Sequence, residues 1–304
     1  MSETQLDAGK TTEPEVARTW LIGDSHICCD RPVLMAIVNA TPDSFYAGSR
    51  VAGDPAARRN ALAALVEERP AIIDVGGQST RPGSERVGAE EEIRRVIPVI
   101  REILEIEKDA LVSIDTYHSK VAREALFAGA RIVNDISAGR MDANMWDVLA
   151  EHGCGYVLMH MQGTPGTMQQ APHYEDCAGE VNEFFTGKLK ELQACGIDSK
   201  RVVLDPGIGF GKRLADNLEL IKRARSFARL KRPLMYGVSR KSFIGRIARR
   251  IEASDDPANR LAGTLGITWE LLNKGVMLHR VHDVRETRQL VAAWEALSAG
   301  SNVA

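Results

Sequence analysis

Short apolar runs and longer amphipathic stretches alternate along the chain from Trp20 onward. Eight runs are apolar almost throughout and end in turn residues: 33–39, 71–76, 110–115, 131–135, 155–161, 201–205, 233–238 and 276–281. Such short, uniformly apolar runs are typical of parallel strands that are covered on both faces. Helical patterns lie between them, for example at 55–68, 89–106, 119–128, 174–194, 214–228 and 259–274.

This alternation predicts an α/β fold of a single domain, the (β/α)₈ TIM barrel. Eight strand–helix units over roughly 270 residues match that fold in number and size. An open, doubly wound sheet is the alternative, but it seldom reaches eight regular units. We expect the barrel to span residues 20–304, with a disordered polar tail at residues 1–19. A short hairpin within residues 20–31 is expected to plug the barrel floor.

Charge and composition narrow the range of partners. The 39 Lys and Arg residues and 41 Asp and Glu residues give a net charge of -2, so there is no basic excess for nucleic acid or for a membrane surface. Neither a spanning helix nor a secretory signal is expected. Five cysteines in a chain of this size do not form a disulfide framework, and we expect a cytoplasmic location.

Polar or charged residues occur at the end of every predicted strand. They are Asn39, Asp74, Asp115, Asn134, Asp135, His160, Asp205, Ser239, Arg240, Lys241, Arg280, His282 and Asp283. In a barrel of this type the functional site lies at the carboxyl ends of the strands. Because buried charge destabilises a protein unless it is paired, a ring of such residues predicts a polar ligand at this mouth.

The polar ring divides into two halves by charge. Hydrogen-bond acceptors at Asp115, Asn134 and Asp205 suit a heterocycle with several N–H donors, such as a guanidine-like ring edge. Basic side chains make up the other half, at Arg81, Lys241, Arg280 and His282. They suit phosphate or diphosphate, and the glycines around Thr80 allow backbone amides to approach an anion.

Nine motifs, in order along the chain, resemble those of the dihydropteroate synthase family. They are NATPDSF (39–45), IIDVGGQSTRPGS (72–84), SIDTY (113–117), VNDIS (133–137), LMHMQGTPGTMQ (158–169), LDPGIGFGK (204–212), GVSRKSFIG (237–245), RLAGTL (260–265) and RVHDVRET (280–287). The resemblance implies a folate-pathway transferase, in general a homodimer. Such enzymes condense 6-hydroxymethyl-7,8-dihydropterin diphosphate with p-aminobenzoate, giving 7,8-dihydropteroate and diphosphate.

The resemblance also implies site residues. The pterin ring would be held by Asp115, Asn134, Asp205 and Lys241, walled by Phe210 and Met159, and covered by Arg280. Diphosphate would bind Thr80, Arg81, Arg280 and His282, with Asn39 coordinating Mg²⁺. The p-aminobenzoate pocket would comprise Phe45, Arg81, Pro82, Ser239 and Lys241. The implied catalytic groups are Arg81, Lys241, Arg280 and His282.

The chain departs from the family pattern at a few positions. Gln78 stands where the family has Glu, and Tyr46 and Ala47 replace a usual Ser-Asp pair after Phe45. The changes after Phe45 bear on how the first loop closes and on the response to sulfonamides. The sequence leaves the effect of Gln78 open.

Two other functions share the acidic pterin pocket. A methyltetrahydrofolate-dependent methyltransferase has no need of the basic residues assigned to diphosphate. A paralogue could instead bind pterin without turnover, and the altered first loop leaves that possibility open.

Two other patterns do not predict a site. His173 and Cys177 are spaced as zinc ligands on a helix could be, but the sequence offers no clear third and fourth ligand. The glycines at 207, 209 and 211 follow a barrel strand rather than a Rossmann strand.

Overall fold

Eight parallel strands form a ring in the computed structural model, which describes residues 18–41, 54–78, 86–249 and 256–298. They are β3 (Val33–Asn39), β4 (Ile72–Gly76), β5 (Val112–Asp115), β6 (Ile132–Asp135), β7 (Gly155–Met159), β8 (Val202–Asp205), β9 (Met235–Tyr236) and β10 (Leu278–Val281). From β3 to β8 each strand pairs with the next along the chain, β9 pairs with β10, and β10 pairs with β3. A bridge between Leu204 and Leu234 joins β8 to the segment before β9. This ring confirms the predicted TIM barrel.

Several strands are shorter than the apolar runs that predicted them. The run 155–161 gives β7, which ends at Met159, and the run 233–238 gives the two-residue strand β9. Met161 and Val238 lie beyond the strand ends but are still buried. Hydrophobicity therefore continues past the strands because both residues are buried: Met161 packs in the apolar cluster around Met159, and Val238 belongs to the larger core of helices and strands.

Helices lie between the strands and continue after the last one. They are α1 (Pro55–Glu67), α2 (Ala89–Ile106), α3 (Ser119–Phe127), α4 (Met145–His152), α5 (Cys177–Ala194), α6 (Leu214–Lys222), α7 (Ser242–Ala248), α8 (Leu261–Asn273) and α9 (Val284–Ser298). Asp54 caps α1 by accepting a hydrogen bond from the Ala56 amide at 2.9 Å, with Pro55 in the first turn. Among the described helices, none combines the length and the hydrophobicity that a bilayer crossing requires.

A buried layer between the helices and the strands forms the larger core. Val96, Ile100 and Ile103 occur at helical spacing in α2 and belong to one buried cluster with Ile73 and Val75 of β4. The same cluster continues around the barrel to α5 and α8. This packing fixes each strand from outside and so sets where its carboxyl end lies.

An antiparallel hairpin closes the barrel floor, as predicted. Its strands are β1 (Thr19–Ile22) and β2 (Ser25–Cys28), so the predicted tail boundary at residue 19 falls inside β1. Trp20 and Ile22 are buried in a cluster with Met35 and other residues of the barrel strands. The Trp20 indole N–H donates to the carbonyl of Arg201 at 2.7 Å. Residues 1–17 lie outside the described part of the chain.

Replacing Trp20 with alanine should destabilise the barrel without touching its mouth. Trp20 is completely buried, and truncating such an aromatic side chain costs about 3–5 kcal/mol of unfolding free energy. Urea denaturation of Trp20→Ala measures this loss. Phe127→Ala is the control, because Phe127 is 68% exposed and should change stability by no more than about 0.5 kcal/mol. Equal effects of the two substitutions would contradict the role of the floor hairpin.

Candidate active site

The strand register brings several predicted site residues to one level of the barrel. Asn39 lies opposite Gly76, Gly76 opposite Asp115, and Asp115 opposite Asn134. On the other side of the ring, the last residue of β8, Asp205, lies opposite Met159. These residues therefore surround the carboxyl-end mouth.

The guanidinium of Arg280 in β10 bonds to one carboxylate in β4 and to another at the end of β5. Its Nε donates to Asp74 Oδ2 at 2.7 Å, and its Nη2 donates to Asp115 Oδ2 at 2.7 Å. The amide of Asn134 donates to the same oxygen of Asp74 at 2.9 Å. The other oxygen of Asp74 is buried and has no hydrogen-bond partner among the described residues. Two predicted pterin ligands and the predicted diphosphate ligand Arg280 thus form one network.

Burial controls the charges in this network. It raises the pKa of Asp115, and Arg280 opposes the rise whereas Asp74 and Asp135 add to it. For Arg280, burial lowers the pKa, but the carboxylates of Asp74 and Asp115 outweigh it and hold the value above normal. The guanidinium therefore stays charged and compensates for carboxylates that are away from water.

Lys241 lies beside the second acidic group of the mouth. Its ammonium is 4.7 Å from the centre of the Phe210 ring and donates a hydrogen bond to the carbonyl of Ile208. Burial lowers the pKa of Lys241 to about 8, although Asp205 raises it. Burial likewise raises the pKa of Asp205, against the effect of Lys241. The two groups thus share a desolvated region in which each favours the charged form of the other.

The predicted walls of the pterin pocket, Met159 and Phe210, belong to a single apolar cluster. Met159 is buried with Tyr117, Met161 and Met168, and Phe210 packs against this group. An apolar surface therefore lies next to the acceptors Asp205 and Asn134, as a flat heterocycle requires.

Ser239 and His282 are in direct contact. The hydroxyl of Ser239 lies 3.0 Å from Nδ1 of His282, and the backbone amide of His282 donates to the same hydroxyl at 3.2 Å. The neighbouring ion pair of Arg240 and Asp283, with Nε donating at 2.9 Å, holds the same two loops together. The ends of β9 and β10 are thus joined at the mouth.

Four of the predicted site residues, Phe45, Thr80, Arg81 and Pro82, lie outside the described residues, as do the departures at Tyr46 and Ala47.

Asn39 is the predicted metal ligand, and it lies partly exposed at the end of β3. Within the described ranges, no group of three or more His, Cys, Asp or Glu side chains could hold a metal ion. A single amide oxygen fits Mg²⁺, which binds through one or two protein ligands together with substrate phosphates and water.

Comparison with known proteins identifies the family. The model for pterin binding enzymes matches residues 35–282 of the chain. Dihydropteroate synthase from Escherichia coli is 40% identical over 272 residues, which are 89% of this chain and 94% of that protein. The Synechocystis enzyme of the same name is 40% identical over 267 residues, or 88% of this chain and 90% of that protein. The chain belongs to the dihydropteroate synthase family.

Solved structures of dihydropteroate synthases have the same fold. The Xanthomonas albilineans enzyme with 4-aminobenzoic acid is 36% identical, with a TM-score of 0.82 over 93% of this chain and 99% of that chain. Its complex with 7,8-dihydropteroate gives a TM-score of 0.79 at 35% identity, over 92% and 99% of the respective chains. The agreement confirms the fold and the family that the motifs indicated.

Residues to which the sequence analysis gave no role in binding also contribute contacts at or near this dihydropteroate synthase mouth. Asp74 is the acceptor shared by Arg280 and Asn134. The hydroxyl of Tyr117 donates to Gln78 Oε1 at 2.9 Å, and both side chains are buried. The available signal for Asp74 was a charge within the apolar run Ile72–Gly76. Nothing in the local sequence pairs Gln78 with Tyr117.

Glu92 is a further buried carboxyl group just outside the mouth. It is 1% exposed and packs beside Gly77, where an added Cβ would lie 2.8 Å from Glu92 Cγ. Burial raises the pKa of Glu92 to about 8, although a hydrogen bond with Thr116 lowers it. Near neutral pH the folded protein therefore favours the protonated form.

The free energy of unfolding should depend on pH through Glu92. Since its pKa is raised from the usual 4.5 to about 8 on folding, the native state binds the proton more tightly. The contribution of Glu92 to the free energy of unfolding is therefore fully present below about pH 4.5 and is lost as the pH rises from there to about 8. The unfolding free energy of Glu92→Gln, minus that of the parent chain, should therefore be roughly 2–3 kcal/mol higher at pH 8.5 than at pH 5.5.

Urea denaturation at the two pH values measures this difference. Glu90→Gln is the matched control, because Glu90 is exposed on the same helix and its substitution should leave the pH dependence unchanged. If Glu92→Gln and the parent lose stability equally with rising pH, the buried carboxyl is not the cause.

Proposed function

We infer that this chain is a dihydropteroate synthase, an enzyme that joins 6-hydroxymethyl-7,8-dihydropterin diphosphate to p-aminobenzoate. The products are 7,8-dihydropteroate and diphosphate. The observation that carries the inference is the guanidinium of Arg280 on Asp115 and Asp74. The 2-amino-4-oxo edge of a pterin presents N–H donors in a similar planar array, so acceptors that bind a guanidinium also suit this ring edge.

The pterin ring is proposed to bind among the acidic strand ends. Asp115, Asn134 and Asp205 would accept from its N–H donors, and Lys241 would donate to its acceptor atoms. The buried cluster around Met159 and Phe210 supplies an apolar face for the ring. Burial favours this arrangement, because charge-assisted hydrogen bonds are stronger where water is excluded.

The diphosphate is proposed to lie on the basic side of the mouth. When the ring edge takes Asp115, the Nη2 group of Arg280 becomes available for the leaving group, while Nε keeps its carboxylate partner Asp74. His282, already in contact with Ser239, would be a second donor, and Thr80 and Arg81 would add to these. Phe45, Pro82 and Ser239 are proposed to contact p-aminobenzoate.

The reaction needs no covalent enzyme intermediate. The C–O bond between the pterin methylene and diphosphate breaks, and its electron pair leaves with diphosphate. The amine of p-aminobenzoate forms the new C–N bond and then loses a proton. Arg280 and His282 would stabilise the negative leaving group, and the carboxylates of Asp115 and Asp205 would stabilise the positive charge that develops on the ring.

We further propose that the reaction uses Mg²⁺, held by Asn39 together with diphosphate oxygens. When bound, the ion would neutralise part of the leaving-group charge. A homodimeric state and a cytoplasmic location stay predictions that rest on the family.

Two alternatives make different demands on the same mouth. A methyltransferase that uses a folate methyl donor has no diphosphate to bind, so the basic set around Arg280, His282 and Lys241 favours the synthase. A pterin-binding paralogue without turnover would need the acidic pocket alone. The contact between Ser239 and His282 on the basic side of the mouth favours an active enzyme over this alternative.

Turnover of the purified protein tests the proposal. With the pterin diphosphate, p-aminobenzoate and Mg²⁺, it should release one diphosphate for each dihydropteroate formed, and chelation of Mg²⁺ by EDTA should stop the reaction. Pterin binding in a calorimeter without product would favour the paralogue. Absence of both binding and turnover would refute the synthase assignment.

Arg280→Ala should reduce kcat/KM by at least about 10²-fold, since removal of one donor to a developing anion has effects of this size. Steady-state release of diphosphate measures the loss. Arg288→Ala is the matched control: that side chain is exposed and donates to the carbonyl of Glu68 at the end of α1. Unchanged turnover of a folded Arg280→Ala protein would exclude the proposed role.

A further inference from the structure

Lys212 is a buried lysine for which the proposed reaction has no use. It ends the segment 205–212, DPGIGFGK, and is 2% exposed. Burying an ammonium is costly unless all of its donors are bonded. The surroundings of Lys212 meet this condition and connect two walls of the pterin pocket.

The ammonium of Lys212 faces three acceptors on two chain segments. It lies 3.0 Å from His160 Nδ1, 3.3 Å from the His160 carbonyl and 3.0 Å from the Phe210 carbonyl. An ammonium has three donors, so all three are used. His160 follows directly after the pocket wall Met159, and Phe210 is the opposite wall.

The same two segments are in close backbone contact. An added Cβ on Gly207 would lie 1.9 Å from the His160 carbonyl oxygen, and one on Gly211 would lie 2.5 Å from that of Gln162. Both glycines have positive φ, +69° and +59°, which other residues rarely adopt. Where the two segments meet, the ammonium of Lys212 bonds to the carbonyl of His160 on one segment and to that of Phe210 on the other.

The segment 205–212 also contacts Lys241, the candidate catalytic lysine, which lies outside it. Lys241 donates to the carbonyl of Ile208 and lies over the ring of Phe210. Asp205, at the start of the segment, interacts electrostatically with both Lys212 and Lys241. A shift of this segment would therefore move both the Phe210 ring and the Ile208 carbonyl that accepts from Lys241.

We propose that Lys212 is a positioning residue for the pterin site, an inference that rests on the proposed function. By bonding to His160 and Phe210, it sets the separation of the Met159 and Phe210 walls and the position of Lys241. It contacts no reacting atom and acts through these neighbours.

Lys212→Met tests the proposal, because methionine keeps most of the apolar stem and removes the three donors. The KM for the pterin diphosphate should rise about ten-fold, the scale expected when buried acceptors lose a hydrogen-bond donor. The KM for p-aminobenzoate, measured at saturating pterin diphosphate, should rise by a clearly smaller factor, because Lys241 is the one residue of its implied pocket that Lys212 would position. Lys222→Met, on the exposed end of α6, is the control and should match the parent.

The split between the two KM values distinguishes positioning from a purely structural role. A general loss of stability would lower the active fraction and hence kcat, and would leave both KM values unchanged. That outcome, or an equal rise in both KM values, would overturn the proposal. Failure of the parent chain to turn over or to bind pterin would instead refute the proposed function.

His160→Phe provides a second test, needed if Lys212→Met does not fold. Phenylalanine keeps a ring for the edge contact with Phe184, whose centre is 4.8 Å from that of His160, and removes the Nδ1 acceptor. Lys212 then keeps two carbonyl partners, so a smaller rise in pterin KM of about three-fold is expected. No change in this KM would also count against the proposal.

Discussion

One cation between two buried carboxylates organises the mouth of this barrel. Asp74 lies in the middle of β4 and Asp115 ends the neighbouring strand β5, and without Arg280 the two carboxylates would repel each other in a largely desolvated region. Breaking such a pair by removing one partner costs about 3–5 kcal/mol, because the remaining charge is left buried and uncompensated. In the proposed complex, a ligand with a guanidine-like edge would avoid this cost, since it would supply Asp115 with new donors while Nε of Arg280 stays on Asp74. On this proposal, the free protein holds Asp115 with a donor that the substrate would replace.

The barrel itself could be predicted from the sequence because parallel strands covered on both faces leave uninterrupted apolar runs. Errors were confined to the ends. Met161 and Val238 extend two of these runs past their strands, because they are buried without continuing the sheet. The hairpin at Thr19–Ile22 and Ser25–Cys28 was also foreseen, although Thr19 begins it one residue earlier than the predicted boundary.

The position of the site followed from topology, whereas its internal contacts did not. Any barrel places its strand ends around one mouth, so Asp115, Asn134 and Asp205 could be grouped before the structure was known. The bond between Arg280 and Asp74, 206 residues apart, depends on the stagger of the strands around the ring and on side-chain conformation. Lys212 lies at the end of a glycine-rich loop, where a charged residue is ordinarily exposed, so its burial had no local signal. The individual roles came from family resemblance.

The closure of the ring also has a mechanical consequence. Between β8 and β9 the barrel is joined by a bridge at Leu204 and Leu234, and β9 itself has two residues. This seam lies between the strand that ends in Asp205 and the strand that precedes Lys241. Because fewer backbone hydrogen bonds join the strands there than at the other strand pairs of the ring, we expect this seam, which separates Asp205 from Lys241, to resist small displacements least. A change in the width of the pocket would then occur at this side, and the other strand pairs need not change their register.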